Sequence, residues 1–251
     1  MLKQLIKLDF LWCNHSFLYI AGANLLSALL TRLSTNWESS LGSFMRHFFS
    51  SLTITLFFSL SLNVLARLII NFKNKTFRDE SYLFRTLPVK ASELWNAKVL
   101  SSVLLVLSVS AAILLCLAVS TLTPELWDAF KALVQAYPLE ILLFVLLVFL
   151  EFCSLTLCIF DGILLGHQKS QKPLWSILSV AGLYIGIQLL LLALLFLLSR
   201  FSPAFSALFS AADGTIPDPA VLAFALVYYL FTFALLYLLG RRTLASGLDV
   251  N

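Results

Sequence analysis

Five polar residues, Ser51, Thr55, Ser59, Asn63 and Arg67, recur at steps of four inside one apolar run, and the series continues through Asn71 and Lys75. Each step of four advances about 40° beyond a full helical turn, so the side chains make a slowly winding polar stripe on one helix. Such a stripe should face protein or water rather than lipid. It either lines a translocation cavity or supplies interhelical hydrogen bonds. A second run carries Glu151, Ser154, Cys158 and Asp161 at spacings of three, four and three, again one helical face. Glu151 stands about 18 Å along its run, near a bilayer centre. An ionised carboxylate is costly there, so it is expected either protonated or paired with a cation. Arg67, about 7 Å from the end of its own run, is the basic residue placed to reach Asp161 and, by stretching, Glu151. A structural Arg67–acid pair is preferred to a proton or substrate site.

Other chemistries lack their residues. There is no GxxxxGK[ST] phosphate loop, so the chain is not expected to hydrolyse ATP, and its energy must come from a partner or an ion gradient. His15, His47 and His167 form no set with a serine, aspartate or cysteine that would serve a nucleophilic enzyme. Cys13, Cys116, Cys153 and Cys158 show no CxxC spacing and read as small core residues, with neither disulfides nor a metal site. No catalytic residue, metal, bound cofactor or nucleic-acid partner is expected.

The elements that must position these residues follow from composition. Of 251 residues, 60% are hydrophobic and only 12% charged, where a soluble domain carries roughly a quarter charged. Mean hydropathy is +0.94. The fold class expected is all-α, a polytopic bundle of six transmembrane helices in a single membrane domain spanning 1–251. Apolar runs place the spans near 15–34, 51–72, 98–122, 139–161, 173–199 and 219–240, each long enough to cross about 30 Å of hydrocarbon. Pro138, Pro173 and Pro219 stand at the starts of runs, where a missing N–H costs nothing, and Asp218 is an expected N-cap. Residues 1–13 read as an interfacial amphipathic helix, and 200–218, with Phe201, Phe205, Leu208 and Phe209, as a reentrant-like segment on the far side of the membrane. Gly182-x-x-x-Gly186 and Gly162-x-x-x-Gly166 let helices approach closely, within the chain or across a dimer. Phe224, Tyr228, Phe231 and Leu235 read as core packing. Lys3, Lys7, the basic residues from Arg67 to Lys98, Lys169, Lys172, Arg241 and Arg242 fall on one side. Arg32, Arg46, Lys131 and Arg200 fall on the other, which predicts cytoplasmic termini and a cytoplasmic 73–97 loop.

That loop contains the longest charged interval, Phe77 to Lys98. Asp79 and Glu80 suit a helix N-terminus, Pro88 disfavours helix at Leu87, and Leu83 and Leu87 then share a face, so about two turns of helix are predicted. Ser92 followed by Glu93 caps and starts the next helix. Glu80-Ser81-Tyr82-Leu83, Thr86-Leu87-Pro88-Val89, then Leu94 and Ala97-Lys98 leading into a span resemble the segment between spans two and three of type-2 ATP-binding-cassette transporter permeases. The specific likeness covers about 25 residues; the six-span layout, amphipathic start and reentrant-like segment extend a weaker one over the chain.

The resemblance implies a permease half that pairs with a second permease copy, a homodimer or a related heterodimer, and is driven by a separate cassette ATPase that uses ATP and Mg, usually for export. It implies that Asp79, Glu80, Tyr82, Leu83, Phe84 and Leu87 form a coupling helix seated on that ATPase, with Pro88 at the bend into span three. The localisation expected is multi-pass in a bacterial cytoplasmic membrane, and the cargo amphipathic or hydrophobic. Two other readings stand beside it: an ion-coupled secondary transporter using Glu151, and a non-transporting scaffold or immunity protein.

Overall fold

Proline marks the start of four helices in this chain, because its fixed φ suits the first helical turn and its absent N–H is not needed there. The computed structural model describes residues 2–34, 37, 40–77, 91–121, 124–169, 173–202 and 218–248. Among them are seven helices and no strand: α1 (Leu2–Ser34), α2 (Ser40–Phe77), α3 (Ala91–Thr121), α4 (Pro124–Ala136), α5 (Pro138–Lys169), α6 (Pro173–Ser199) and α7 (Pro219–Leu248). All but α4 are long and apolar enough to cross a bilayer, which makes this a multi-pass membrane protein. Asp218 caps α7 as the sequence predicts: its Oδ1 accepts from the Ala220 N–H at 2.8 Å, and its carbonyl from the Val221 N–H at 2.9 Å.

Several helices outrun the spans expected from hydropathy. The 1–13 segment and the first span are one unbroken helix, since Asp9, Asn14 and His15 are unfavourable in lipid but break no backbone ladder. α2 extends to both sides of 51–72, and α5 continues eight residues beyond Asp161. α3 starts at Ala91, so Ser92 lies in its first turn rather than ahead of it, with Glu93 beside it. α4 was not expected. Its start at Pro124 and the alternation of Leu126, Phe130, Leu133 and Val134 with Asp128, Lys131 and Gln135 are the signals for it. Of the 73–97 coupling segment, 73–77 belong to α2, 91–97 to α3, and 78–90 lie outside the described residues, as does most of the 200–218 segment, of which Arg200, Phe201, Ser202 and Asp218 are described.

The chain divides into two compact units, Met1–Pro88 with Leu100–Leu133, and Val89–Val99 with Val134–Asn251. In the first, α1 packs on α2. Phe17, Asn24 and Thr31 recur every seven residues on α1, with Ser27, Ala28 and Ser34 beside them, and all are buried. On α2 the buried positions include Thr53, Leu60, Val64, Leu68, Asn71 and Phe72. Ser27 Oγ lies 2.9 Å from Thr53 Oγ1 and donates to the Phe49 carbonyl at 3.2 Å, so the seam combines close approach with hydroxyl bonding, as suits helices in lipid.

In the second unit α5 is central, with α6 and α7 both packed on it and barely touching each other. Cys158, Gly162 and Gly166, at steps of four, form the face of α5 against α6. A Cβ on Gly162 would stand 2.6 Å from Val180 Cα, and one on Gly166 would stand 2.8 Å from the Trp175 carbonyl carbon. The glycines therefore set the distance between the two backbones. Gly182 and Gly186 differ: among the described residues, a Cβ on either meets nothing within 4 Å, so this pair forms no seam within the C-terminal unit as described. Two outcomes follow. Gly166→Val should destabilise the C-terminal unit by about 1–3 kcal/mol or more through overpacking, whereas Gly182→Ala should not lower stability, both read by thermal unfolding of the purified protein in detergent.

Candidate functional site

Buried ionisable groups in a membrane helix are the first place to look for function, and the described residues gather theirs around α5. Asp161 is fully buried. At its level α7 approaches through Gly240, and α6 lies through Val180 against the adjoining Gly162. Gly240 of α7 leaves the space it occupies: a Cβ there would run into Asp161 Oδ1 and the six-membered ring of Trp95. Trp95 is itself fully buried, stacked edge-on against Phe160 at a centroid distance of 6.5 Å, and its Nε1 donates to the Tyr237 carbonyl at 3.0 Å. The Tyr237 hydroxyl returns a bond to Asn96 Oδ1 at 2.6 Å. Trp95 and Asn96 belong to the first turns of α3, so this end of α3 is fastened to α5 and α7 by one indole and two hydrogen bonds.

Among the described residues, neither carboxylate oxygen of Asp161 has a hydrogen-bond partner. A buried carboxyl without a partner is expensive to ionise. Lys98, one turn after Trp95, is also buried. Of the residues expected to pair, Arg67 belongs to the N-terminal unit, where its Nε donates to Asn63 Oδ1 at 3.2 Å, and Asp161 belongs to the C-terminal unit.

Glu151 sits on the same face of α5 and is half-buried, with Ser154, Cys158 and Asp161 buried beyond it. The face read from spacing is therefore real, and its burial deepens toward Asp161. Glu151 and Tyr184 are within electrostatic reach of Tyr229. Gln188 Nε2 donates to the Tyr229 hydroxyl at 3.2 Å, and the Tyr228 hydroxyl donates to the Ile187 carbonyl at 2.6 Å. These bonds join α6 to α7 where the two helices otherwise hardly meet. Tyr184, Gln188 and Tyr229 were not singled out from the sequence; a glutamine inside a long apolar run was the available signal. Of the aromatic series on α7, Tyr228 is buried, whereas Phe231 and Leu235 are exposed rather than core.

The polar stripe of α2 divides along its length. Ser51, Thr55 and Ser59 are exposed, Asn63 and Arg67 half-buried, and Asn71 buried. Five steps of about 40° turn the stripe by roughly 200°, carrying it from the outer face of α2 to its buried side. Thr55 spends its hydroxyl on the Ser51 carbonyl at 2.9 Å, the usual way a hydroxyl is satisfied within an apolar helix. On α1, Asn24 is fully buried with neither side-chain atom hydrogen-bonded. No group of three or more His, Cys, Asp or Glu capable of holding a metal occurs among the described residues.

The knot around Trp95 leads to a graded expectation. Trp95→Ala should cost about 3–5 kcal/mol, the usual loss for a large aromatic truncated in a core, and Gly240→Ala about 1–3 kcal/mol through collision. Asp161→Asn should change little, because no hydrogen bond between its carboxylate and the described residues is lost; a drop of about 3–5 kcal/mol would instead reveal a buried charge pair. Thermal unfolding of the three variants separates these results.

No protein-family model matches the chain, and neither the curated proteins nor the solved structures show a match to it.

Proposed function

We propose that this chain is the permease subunit of an ATP-driven exporter of the type-2 ATP-binding-cassette class, lodged in a bacterial cytoplasmic membrane with both termini inside. The observation that carries the reading is the division of α3. Its first turns, from Ala91 to Val99, belong to the C-terminal unit, and the helix from Leu100 onward belongs to the N-terminal unit. A force on the segment ahead of α3, where the family-like motif lies, therefore enters a stiff helix fastened by Trp95 and Asn96 to α5 and α7. A coupling element needs such a connection. ATP binding in a partner ATPase would move Asp79–Leu87, and α3 would carry that displacement to both units and reopen a cavity at the interface of two permease copies. Gly182 and Gly186, with open space in front of them, suit the close approach of a second copy.

The experiment is co-purification. A tagged full-length chain should bring down a cassette ATPase in stoichiometric amount, and Leu83→Asp combined with Leu87→Asp should abolish that recovery together with transport-linked ATP turnover. Undiminished coupling in the double variant overturns the assignment.

A second reading is favoured by one observation, the half-buried Glu151 within electrostatic reach of Tyr229. A carboxyl group in that setting suits a proton-coupled secondary transporter. Glu151→Gln separates the two readings: ATP-dependent transport should survive it, and loss of all transport with no ATP dependence in the parent protein supports proton carriage.

A further inference from the structure

Because α6 and α7 pack on α5 and scarcely on each other, a groove of about 650 Å³ opens between them, within the range of ligand sites. Leu165 of α5 belongs to its lining, with Leu183, Ile187 and Leu190 from α6 and Phe231 and Leu235 from α7. Along α7 the lining runs from Tyr228 to Thr243. Fifteen rises of 1.5 Å between those ends give it about 22 Å, enough for the acyl chain of a single leaflet, which spans about half of the 30 Å hydrocarbon core.

Few polar groups line the groove, and most of them have their donors engaged in the protein. The Tyr228 hydroxyl donates to the Ile187 carbonyl at 2.6 Å, and the Thr243 hydroxyl to the Leu239 carbonyl at 2.7 Å. Among the described lining residues Arg242 is the one that is charged, and it stands four residues before the end of the apolar span at Ser246. Its guanidinium is thus at the level where lipid phosphates lie, and its planar fork matches a phosphate bidentately. No carboxylate among the described residues lines the groove to oppose an anion. A long apolar slot that ends on a single cation has the chemistry of a lipid with an anionic head.

We propose that the α6–α7 groove binds one anionic glycerophospholipid, with an acyl chain along Leu183, Ile187 and Leu235 and the phosphate on Arg242. The site stands apart from the transport reading, since it needs neither an ATPase nor a second copy. It also explains why Phe231 and Leu235 face outward: they are walls of a lipid slot. Neighbouring Arg241 is exposed and does not line the groove, so it serves as an internal control.

The test uses the full chain purified in mild detergent, with phosphatidylglycerol and phosphatidylcholine of equal chain length as probes and native mass spectrometry as the readout. The wild-type protein should retain one phosphatidylglycerol in preference to phosphatidylcholine. Arg242→Gln should lower that preference about fivefold, the usual worth of one basic residue at a lipid surface, and Arg242→Lys should restore part of it. Arg241→Gln should leave it unchanged. Leu235→Trp, at an exposed position that tolerates bulk, should expel both lipids while the protein stays monodisperse. Equal retention of the two lipids by the wild-type chain, an Arg242→Gln variant that keeps the preference, or a Leu235→Trp variant that still holds lipid would each overturn the proposal. So would efficient disulfide cross-linking of Leu235→Cys between two chains, which would show a second copy in the groove.

Discussion

How closely α5 can approach two neighbours at once governs the C-terminal unit. Lipid tails are as apolar as leucine, so helices in a bilayer gain little from hiding apolar surface and must instead gain from tight van der Waals contact. Gly162 and Gly166 bring the α6 backbone near on one side, and Gly240 of α7 makes room for Asp161 and Trp95 on another. The three glycines do different work from those at Gly182 and Gly186, which leave an open surface. With both partners drawn to α5, α6 and α7 are left to meet through tyrosine and glutamine bonds, and the groove between them is the consequence.

The N-terminal unit meets the same requirement with hydroxyls. Ser27, Thr31 and Thr53 are small enough for close packing, and each bonds to a carbonyl within the seam. α3 belongs to both units, and no break separates its two portions between Ala91 and Thr121. A continuous helix transmits displacement along its axis, while a loop at that point would absorb it. Under the proposed function this rigidity is what lets a short cytoplasmic element act on the membrane helices.

Much of the local structure was legible in the residues themselves. Pro138, Pro173 and Pro219 open helices, Asp218 caps one, and the run from Glu151 to Asp161 forms one face of α5, because each signal is settled by backbone geometry within a turn or two. Helix lengths were less legible. Hydropathy marks where lipid ends, whereas a helix continues as long as its hydrogen-bond ladder does, and neither Asp9 nor Lys73 interrupts that ladder. The amphipathic α4 was passed over for a related reason, since its mixed composition falls below any threshold for a span. The stripe on α2 was read as slowly winding and facing protein or water, and its accumulated drift puts exposed Ser51 and buried Asn71 on different sides.

By itself the sequence determined a multi-pass, all-helical membrane protein, the places where its helices start, and the candidate acids and glycines. Only the tertiary structure decided which glycine pair is a seam, that Asp161 is enclosed by Trp95 and Gly240, and that Phe231 and Leu235 line a groove rather than a core. The physical reason is that a membrane helix is apolar both toward lipid and toward its neighbours. The alternation that separates inside from outside in a soluble protein is therefore lost, and burial is set by contacts between residues far apart in the chain.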